Sequence, residues 1–356
     1  MPPFSVPWNV HDVRLKFDFE YYVKCRILIP NRPDPERYII TKKHKEAIGN
    51  IQDHDFSVLE AYRWFGKSEL VSYCWVLWRA DMWNESAVIL SANEDLAMQK
   101  LDLIRTAIEF ENQELAHLSG KGVAGIIWNR WEIWLVDRLN PIVNDTWEQV
   151  YRIKSKIYAK GIFANYRGLH VHNIVGDDIV VEDNSQTYEM RESTKRRFLA
   201  AAMGMRLNWK HKSHVVVVGT PQHPDDLLAE LCDKNNTAWS KCIVPVFNDL
   251  GEPNCIELHD HVWIDQQRKI QGEAIFKQEY LLTPISLESE TFAQNLIDMA
   301  KDYASIMCLE YEKKKDEVVI LGTDFAIEDD PRKAQKNDTD FFSIVALCYN
   351  TQTWER

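Results

Sequence analysis

The stretch that decides the fold is LEAYRWFGKSEL, Leu59 to Leu70. Gly66-Lys67-Ser68 has the form of a phosphate-binding loop, yet Ala61 stands five residues before Gly66, where such loops usually carry a glycine, and the charged Arg63 occupies the loop's middle. A loop of this kind works through its setting. It joins a strand to a helix, its backbone N–H groups point at phosphate oxygens, and the helix N-terminus adds a positive field. The setting is present: Ser57–Ala61 reads as a strand, Tyr62–Gly66 as the loop, and a helix is predicted from Ser68 to Met82. Gly66 lets the backbone turn close to a phosphate. Lys67 would reach the β/γ-phosphates, and the Ser68 hydroxyl would bind Mg²⁺. Ala61, Tyr62, Arg63, Trp64, Phe65, Gly66, Lys67, Ser68 and Glu69 form the expected nucleotide-binding segment, with Arg63 either a solvated loop residue or a cation over the γ-phosphate.

Such a loop needs an acidic strand end to hold the metal and polarise water. RGLHVHNIVGDDIVVEDNSQ (Arg167 to Gln186) supplies an apolar run, Asn173–Gly176, followed by Asp177 and Asp178. Asp177 is expected in the metal shell and Asp178 as general base, although Glu is more usual there. Glu182 and Asp183 could substitute only if the strand ran further. VVVVGTPQHPDD (Val215 to Asp226) is a third strand ending in Gly-Thr, whose Thr220 hydroxyl could sense the γ-phosphate or simply close a turn. Ala87–Leu90 and Cys242–Phe247 read as further strands, and Glu94–Glu111 and Tyr188–Ala202 as helices. Alternation of this kind predicts an α/β fold with a mostly parallel sheet flanked by helices.

The chain has 356 residues, with 45% hydrophobic and 27% charged, an ordinary globular composition with room for a large domain or two. No run of about 18 apolar residues predicts a membrane span. MPPFSVPWNV lacks the pattern of a secretory signal. Seven scattered cysteines without a CxxC fit a reducing cytoplasm. A net charge of −12 excludes a protein that coats nucleic acid over its whole surface, so any DNA contact is local, transient or shared among subunits. The basic clusters are Lys42-Lys43-His44-Lys45, Arg152/Lys154/Lys156/Lys160, Lys195-Arg196-Arg197 and Lys210-His211-Lys212, of which the second is the first choice for a phosphate track. CIELHDHVW (Cys255 to Trp263), with Cys242, offers Cys/His residues for zinc, but in no standard spacing.

The expected organisation is an arm at 1–40, an ATPase domain with its C-terminal lid at 41–308, a charged linker at 309–317, and the first strands of a second domain at 318–356. Two strands cannot bury both faces of a sheet, so that second domain reads as incomplete.

Taken in order, the motifs resemble the large terminase subunit of tailed bacteriophages, an ATPase motor that packages DNA into a procapsid. YRWFGKSEL (Tyr62 to Leu70) resembles the family's arginine-containing, glycine-poor phosphate loop. VILSANEDLA (Val88 to Ala97) resembles its second strand, and KIYAKGIFANYRGLHVHNIVGDDI (Lys156 to Ile179) its strand pair, Arg-Gly and acidic strand. VVVVGTPQ resembles the coupling motif, FKQEYLLTP (Phe276 to Pro284) the segment closing the ATPase domain, and VVILGTDFAIEDD (Val318 to Asp330) the first strand of an RNase H-like nuclease. IVGDDIVVEDNSQT (Ile174 to Thr187) is most similar to the short-tailed phage branch.

The resemblance implies a P-loop fold of the additional-strand type followed by the start of an RNase H-like fold. It implies ATP hydrolysis with Mg²⁺, coupled to translocation of double-stranded DNA. It also implies a portal protein ring and a small terminase subunit as partners, self-association into a ring of five subunits, and location in the host cytoplasm, transiently at the procapsid portal. Arg167, eleven residues before Asp178, matches the arginine finger that reaches a neighbouring subunit, and Thr220 matches the coupling residue. His44 stands near the usual adenine-reading Gln. Asp324 would be the first nuclease metal ligand, with Asp329, Asp330, Asp338 and Asp340 nearby. A two-metal nuclease needs more carboxylates, so this chain is expected not to cut DNA. The alternatives are a superfamily-2-like helicase, for which the remaining chain is short, and a nucleotide-gated scaffold that binds ATP without turnover.

Overall fold

The structure is a computed structural model. It describes residues 10–27, 39–111, 113–144, 149–207 and 213–284, and the backbone of two strands at 317–324 and 343–350. In chain order, α1 (Val10–Phe17), α2 (Phe19–Arg26) and α3 (Lys42–Asp53) precede β1 (Phe56–Ala61). After β1 come a π-helical stretch, Glu69–Trp75, continuing into α4 (Val76–Met82), then β2 (Ala87–Ser91) and α5 (Glu94–Thr106). β3 (Glu132–Val136), the small hairpin β4 (Ile142–Val143) and β5 (Gln149–Val150), and the long β6 (Ile153–Gly161) follow. The domain continues through β7 (Asn173–Asp177), α6 (Glu182–Ser185), α7 (Tyr188–Met205), β8 (His214–Gly219), α8 (Leu227–Cys232), β9 (Ser240–Val244), α9 (His261–Gln271) and α10 (Glu273–Glu279). Last come β10 (Glu317–Asp324) and β11 (Ser343–Asn350).

Seven strands form one sheet in the order β3-β6-β2-β7-β8-β1-β9. Every neighbouring pair is parallel except β3 and β6. The centre of the sheet follows from composition. β1, β2, β7 and β8 each contain a short apolar run and are buried along almost their whole length, as strands covered by helices on both faces must be. The four valines of β8, Val215–Val218, pack well on a pleated surface. One core lies between the sheet and the helices α1 to α5, with Leu15, Tyr22, Trp75 and Trp78 among its members. The other lies under α7 and α8, around Phe198, Leu227 and Leu231.

β8 lies between β1, which ends at the loop, and β7, which ends in the acids. That interposed strand is the arrangement expected of the additional-strand type. It opens a crevice at the carboxyl edge, where open α/β sheets place their ligands.

Several elements differ from the sequence reading. The segment read as an arm carries α1 and α2, seated in the core through Leu15, Phe19, Tyr22 and Val23, while the Trp78 indole donates to the Leu15 carbonyl at 3.0 Å. The strand expected at Cys242–Phe247 runs instead from Ser240 to Val244, ending before Pro245, which has no N–H to give. β3 was not among the predicted strands, and β6 was expected only through the resemblance of the segment from Lys156 to a strand pair. The last two strands pair antiparallel, Asp324 opposite Ser343. Asp329, Asp330, Asp338, Asp340 and Lys210-His211-Lys212 lie outside the described residues.

Candidate nucleotide-binding site

The loop after β1 is built around two left-handed residues. Gly66 has φ 83°, as its lack of a Cβ permits, and Trp64 has φ 72°, an uncommon state for a large side chain. Tyr62 and Phe65 are buried and anchor the loop, while Arg63 and Trp64 point outward, with Arg63 55% exposed. Ala61 is fully buried at the strand end. The Tyr62 carbonyl accepts from the Phe65 N–H at 3.2 Å and from the Lys67 ammonium at 3.5 Å. Burial pushes the Lys67 pKa down, against the pull of Asp178, Asp177 and Glu279. Such a cation gains by meeting an anion.

Asp177 and Asp178 end β7 at this same edge. Asp177 is fully buried, accepting from Ser68 Oγ (2.9 Å) and Ser72 Oγ (2.7 Å). Burial, then the charge of Asp178, raises its pKa. Asp178 turns the chain with φ 52°, which Asp tolerates, and keeps its carboxylate 37% exposed. A Cβ on Gly176 before them would stand 2.3 Å from Ile179 Cδ1, so the Ile179 side chain would have to shift to admit one.

Lys100 from α5 meets these groups, and the sequence reading missed it. Its Nζ lies 3.0 Å from Ser68 Oγ, 2.9 Å from Asp178 Oδ2 and 3.4 Å from Asp177 Oδ2. Burial opposes its charge, but the two carboxylates together outweigh that and raise its pKa. Ser72 was also missed. It sits in the π-helical stretch, a distortion found often at functional sites.

Beside these groups lies a cleft of about 750 Å³ whose walls include Arg63 to Glu69, Asp178, Glu182, Thr220, His259 and Glu279. The Thr220 hydroxyl donates to the Ala61 carbonyl at 3.3 Å, joining the end of β8 to the start of the loop. The segment Phe276–Pro284 touches the loop through Glu279. The Arg63 N–H donates to the Glu279 carbonyl at 2.8 Å, and the Glu279 carboxylate lies 3.9 Å from the Arg63 guanidinium.

Other expected residues lie differently. His44 is buried, and both ring nitrogens are engaged. Nδ1 accepts from the Thr41 N–H (3.1 Å), so Nε2 carries the proton and donates to the Phe65 carbonyl (2.7 Å). It braces the phosphate loop and has no nitrogen left to read a base. Arg167 is exposed, with its backbone N–H on Asn165 Oδ1 (3.1 Å), and is not among the cleft residues. The preferred basic cluster is not a free track. Lys154 is committed to the buried Asp81 at 2.9 Å, and Lys156 lies over the Trp134 ring at 3.7 Å. Lys195 is buried against Asp225 at 2.8 Å. Cys255, His259 and His261 turn to different neighbours: Thr41, Trp263 and Glu252.

The oxygen donors Ser68 and Asp177, with Asp178 beside them, suit a hard divalent cation, and an ammonium already rests among them. Among the described residues no group of three or more His, Cys, Asp or Glu could hold a metal. The remaining ligands would therefore be phosphate and water oxygens.

Strand order, loop and acidic strand end define the additional-strand P-loop class. Solved structures make the likeness narrower. Over 95% of its length the chain matches the large terminase of bacteriophage HK97, covering 68% of that chain, at a TM-score of 0.55 and 12% identity. A weaker likeness is to the large terminase ATPase domain of Thermus phage P74-26 (14% identity, 70% of this chain and 95% of that one, TM-score 0.44). Another is to the large terminase of a thermophilic bacteriophage (11% identity, 70% of this chain and 53% of that one, TM-score 0.43). The fold is thus shared with a large terminase. No protein-family model and no curated protein matches the chain.

Proposed function

We propose that this chain is the ATP-hydrolysing motor of a viral DNA-packaging machine, a large terminase subunit that drives double-stranded DNA into a procapsid. One observation carries the reading. Lys67, Ser68, Asp177 and Asp178 converge at the carboxyl edge of one sheet, with Ser68 Oγ 2.9 Å from Asp177, across an interposed strand. The fold shared with the HK97 large terminase and the order of the motifs along the chain support it.

In this reading the backbone N–H groups of Gly66 to Glu69 cradle the phosphates and Lys67 places its ammonium on the β/γ oxygens. Ser68 and Asp177 are the residues that would hold Mg²⁺. When bound, that ion neutralises charge on the β- and γ-phosphates. Asp178, partly exposed beside the buried Asp177, accepts the proton of the attacking water as it displaces ADP and yields phosphate. Arg63 supplies charge within the subunit. Arg167, exposed and away from its own cleft, supplies charge to the neighbour's site in a ring, which supports a role between subunits rather than within one. Thr220, tied to Ala61, transmits the state of the phosphate to β8. The portal ring, the small terminase subunit, a five-membered ring, the domain boundaries near 41, 309 and 318, and work in the host cytoplasm at the portal belong to the same proposal. No helix among the described residues is long and apolar enough to cross a membrane.

Phosphate release with Mg²⁺-ATP, with and without double-stranded DNA, tests it. Turnover lost in Lys67→Ala and Asp178→Asn is the expected result. Tight ATP binding with no phosphate release under any condition would leave the nucleotide-gated scaffold instead.

A further inference from the structure

The metal end of the site already contains a cation of the protein's own. Lys100 reaches in from α5, a helix that belongs to neither the loop nor the acidic strand, and places one ammonium within 3.4 Å of an oxygen from each of Ser68, Asp177 and Asp178. Its side chain is only 15% exposed. The hydrogen bonds leave little freedom. The Ser68 hydroxyl gives its proton to Asp177 Oδ1, so the lone pair of that hydroxyl faces Lys100. Asp177 Oδ2 takes the Ser72 proton and also faces Lys100.

A magnesium ion binds at roughly 2.0–2.1 Å from its oxygens and demands near-octahedral geometry. It would need the Ser68 lone pair that the ammonium now uses, and two cations cannot share that space. Lys67 is not in the same position, since its ammonium is turned to the Tyr62 carbonyl and the residue lines the cleft. The two lysines therefore divide the site: one waits for the phosphates and the other stands where the metal would go. Lys100 has a flexible four-carbon stem that can carry a compact charge away.

We propose that Lys100 is an internal counter-cation that occupies the metal position in the nucleotide-free protein and is expelled by the incoming magnesium–nucleotide complex, so that metal loading and release of this side chain are one event. The inference rests on the ATPase reading of the site. It gives α5 a direct means of sensing whether the site holds metal. It also explains how the adjacent carboxylates of Asp177 and Asp178 coexist before nucleotide arrives.

The test is pulsed reductive methylation of the wild-type chain, read residue by residue by mass spectrometry, with EDTA alone, with ADP and EDTA, and with ADP and Mg²⁺. Lys100 labelling is expected to rise severalfold only with ADP and Mg²⁺, while Lys67 becomes protected. A second measurement is the magnesium half-saturation for binding a fluorescent ADP analogue. In Lys100→Met it should fall about tenfold, the equivalent of one charge-assisted hydrogen bond no longer given up. If Lys67 is protected while Lys100 labelling stays unchanged, or if the half-saturation is unaltered or raised, the inference is overturned and the ATPase reading stands. A chain that takes up no nucleotide overturns both. Should Lys100→Met fail to fold, the wild-type labelling decides alone.

Discussion

Glu60 should make the stability of this domain depend on pH in an unusual direction. It lies in the interior of β1, paired with Gly219 on one side and Ile243 on the other, and is only 6% exposed. Burial pushes its pKa up to about 7; a hydrogen bond from Cys232 works against the shift and the charge of Asp226 adds to it. Because the folded pKa lies above the unfolded one, the neutral acid is the form that suits the fold. The stability it contributes is fully present below the unfolded value of 4.5 and is lost as pH rises through about 7. A rise of that size is worth about 3 kcal/mol at 1.36 kcal/mol per unit. Glu60→Gln keeps the shape and cannot ionise. Urea unfolding of both proteins from pH 4.5 to 8 should show the variant gaining on wild type by about 3 kcal/mol across that range. Buried histidines titrate in both proteins and cancel in the difference. A stability difference that stays constant with pH would refute the argument, since it would mean that Glu60 is charged or neutral alike in both states.

His44 should act with the opposite sign. Burial depresses its pKa despite the hydrogen bond to the Phe65 carbonyl, so its contribution is present above the unfolded value of 6.5 and is lost as pH falls. On going from pH 7.5 to 5.5, the unfolding midpoint of His44→Gln should shift upward relative to that of wild type. Asp81 is fully buried, accepting from Tyr22 and Lys154, so Asp81→Leu strands a lysine and should lower unfolding free energy by about 3–5 kcal/mol; Asp81→Leu with Lys154→Met should recover most of it. Arg167→Ala should reduce turnover by on the order of 10³-fold in assembled protein. Mixing it with Lys67→Ala subunits should restore part of that rate, and no recovery would remove the role between subunits.

The centre of this fold was legible because parallel strands buried on both faces are dominated by apolar residues, and each of β1, β2, β7 and β8 carries a short apolar run. The margins were not. β6 alternates lysine with buried residues, IKSKIYAKG, and its charges read as a surface cluster, although Lys154 is spent on Asp81. α1 is short and mostly exposed, and α2 mixes buried and exposed residues without a clear period, so neither announced a place in the core. Within the site, the loop and the two acids were readable because each follows a strand of recognisable composition. Lys100 and Ser72 were invisible for a different reason. Lys100 stands 32 residues from Ser68 and 78 from Asp178, and Ser72 lies 105 from Asp177. Only the sheet order brings them together. The tie-up of His44 was likewise unreadable, because Thr41 to His44 is a helix cap whose second partner, Phe65, is 21 residues away.

The central claim is that one nucleotide–metal complex is held between the loop after β1 and the end of β7. A crystal structure with ATPγS and Mn²⁺, with the metal located by its anomalous scattering, tests it most directly. The account predicts phosphates along Gly66 to Ser68 and a manganese peak bridging Ser68 and Asp177, with the Lys100 ammonium displaced. A nucleotide bound elsewhere, or a peak remote from Ser68 and Asp177, would contradict it.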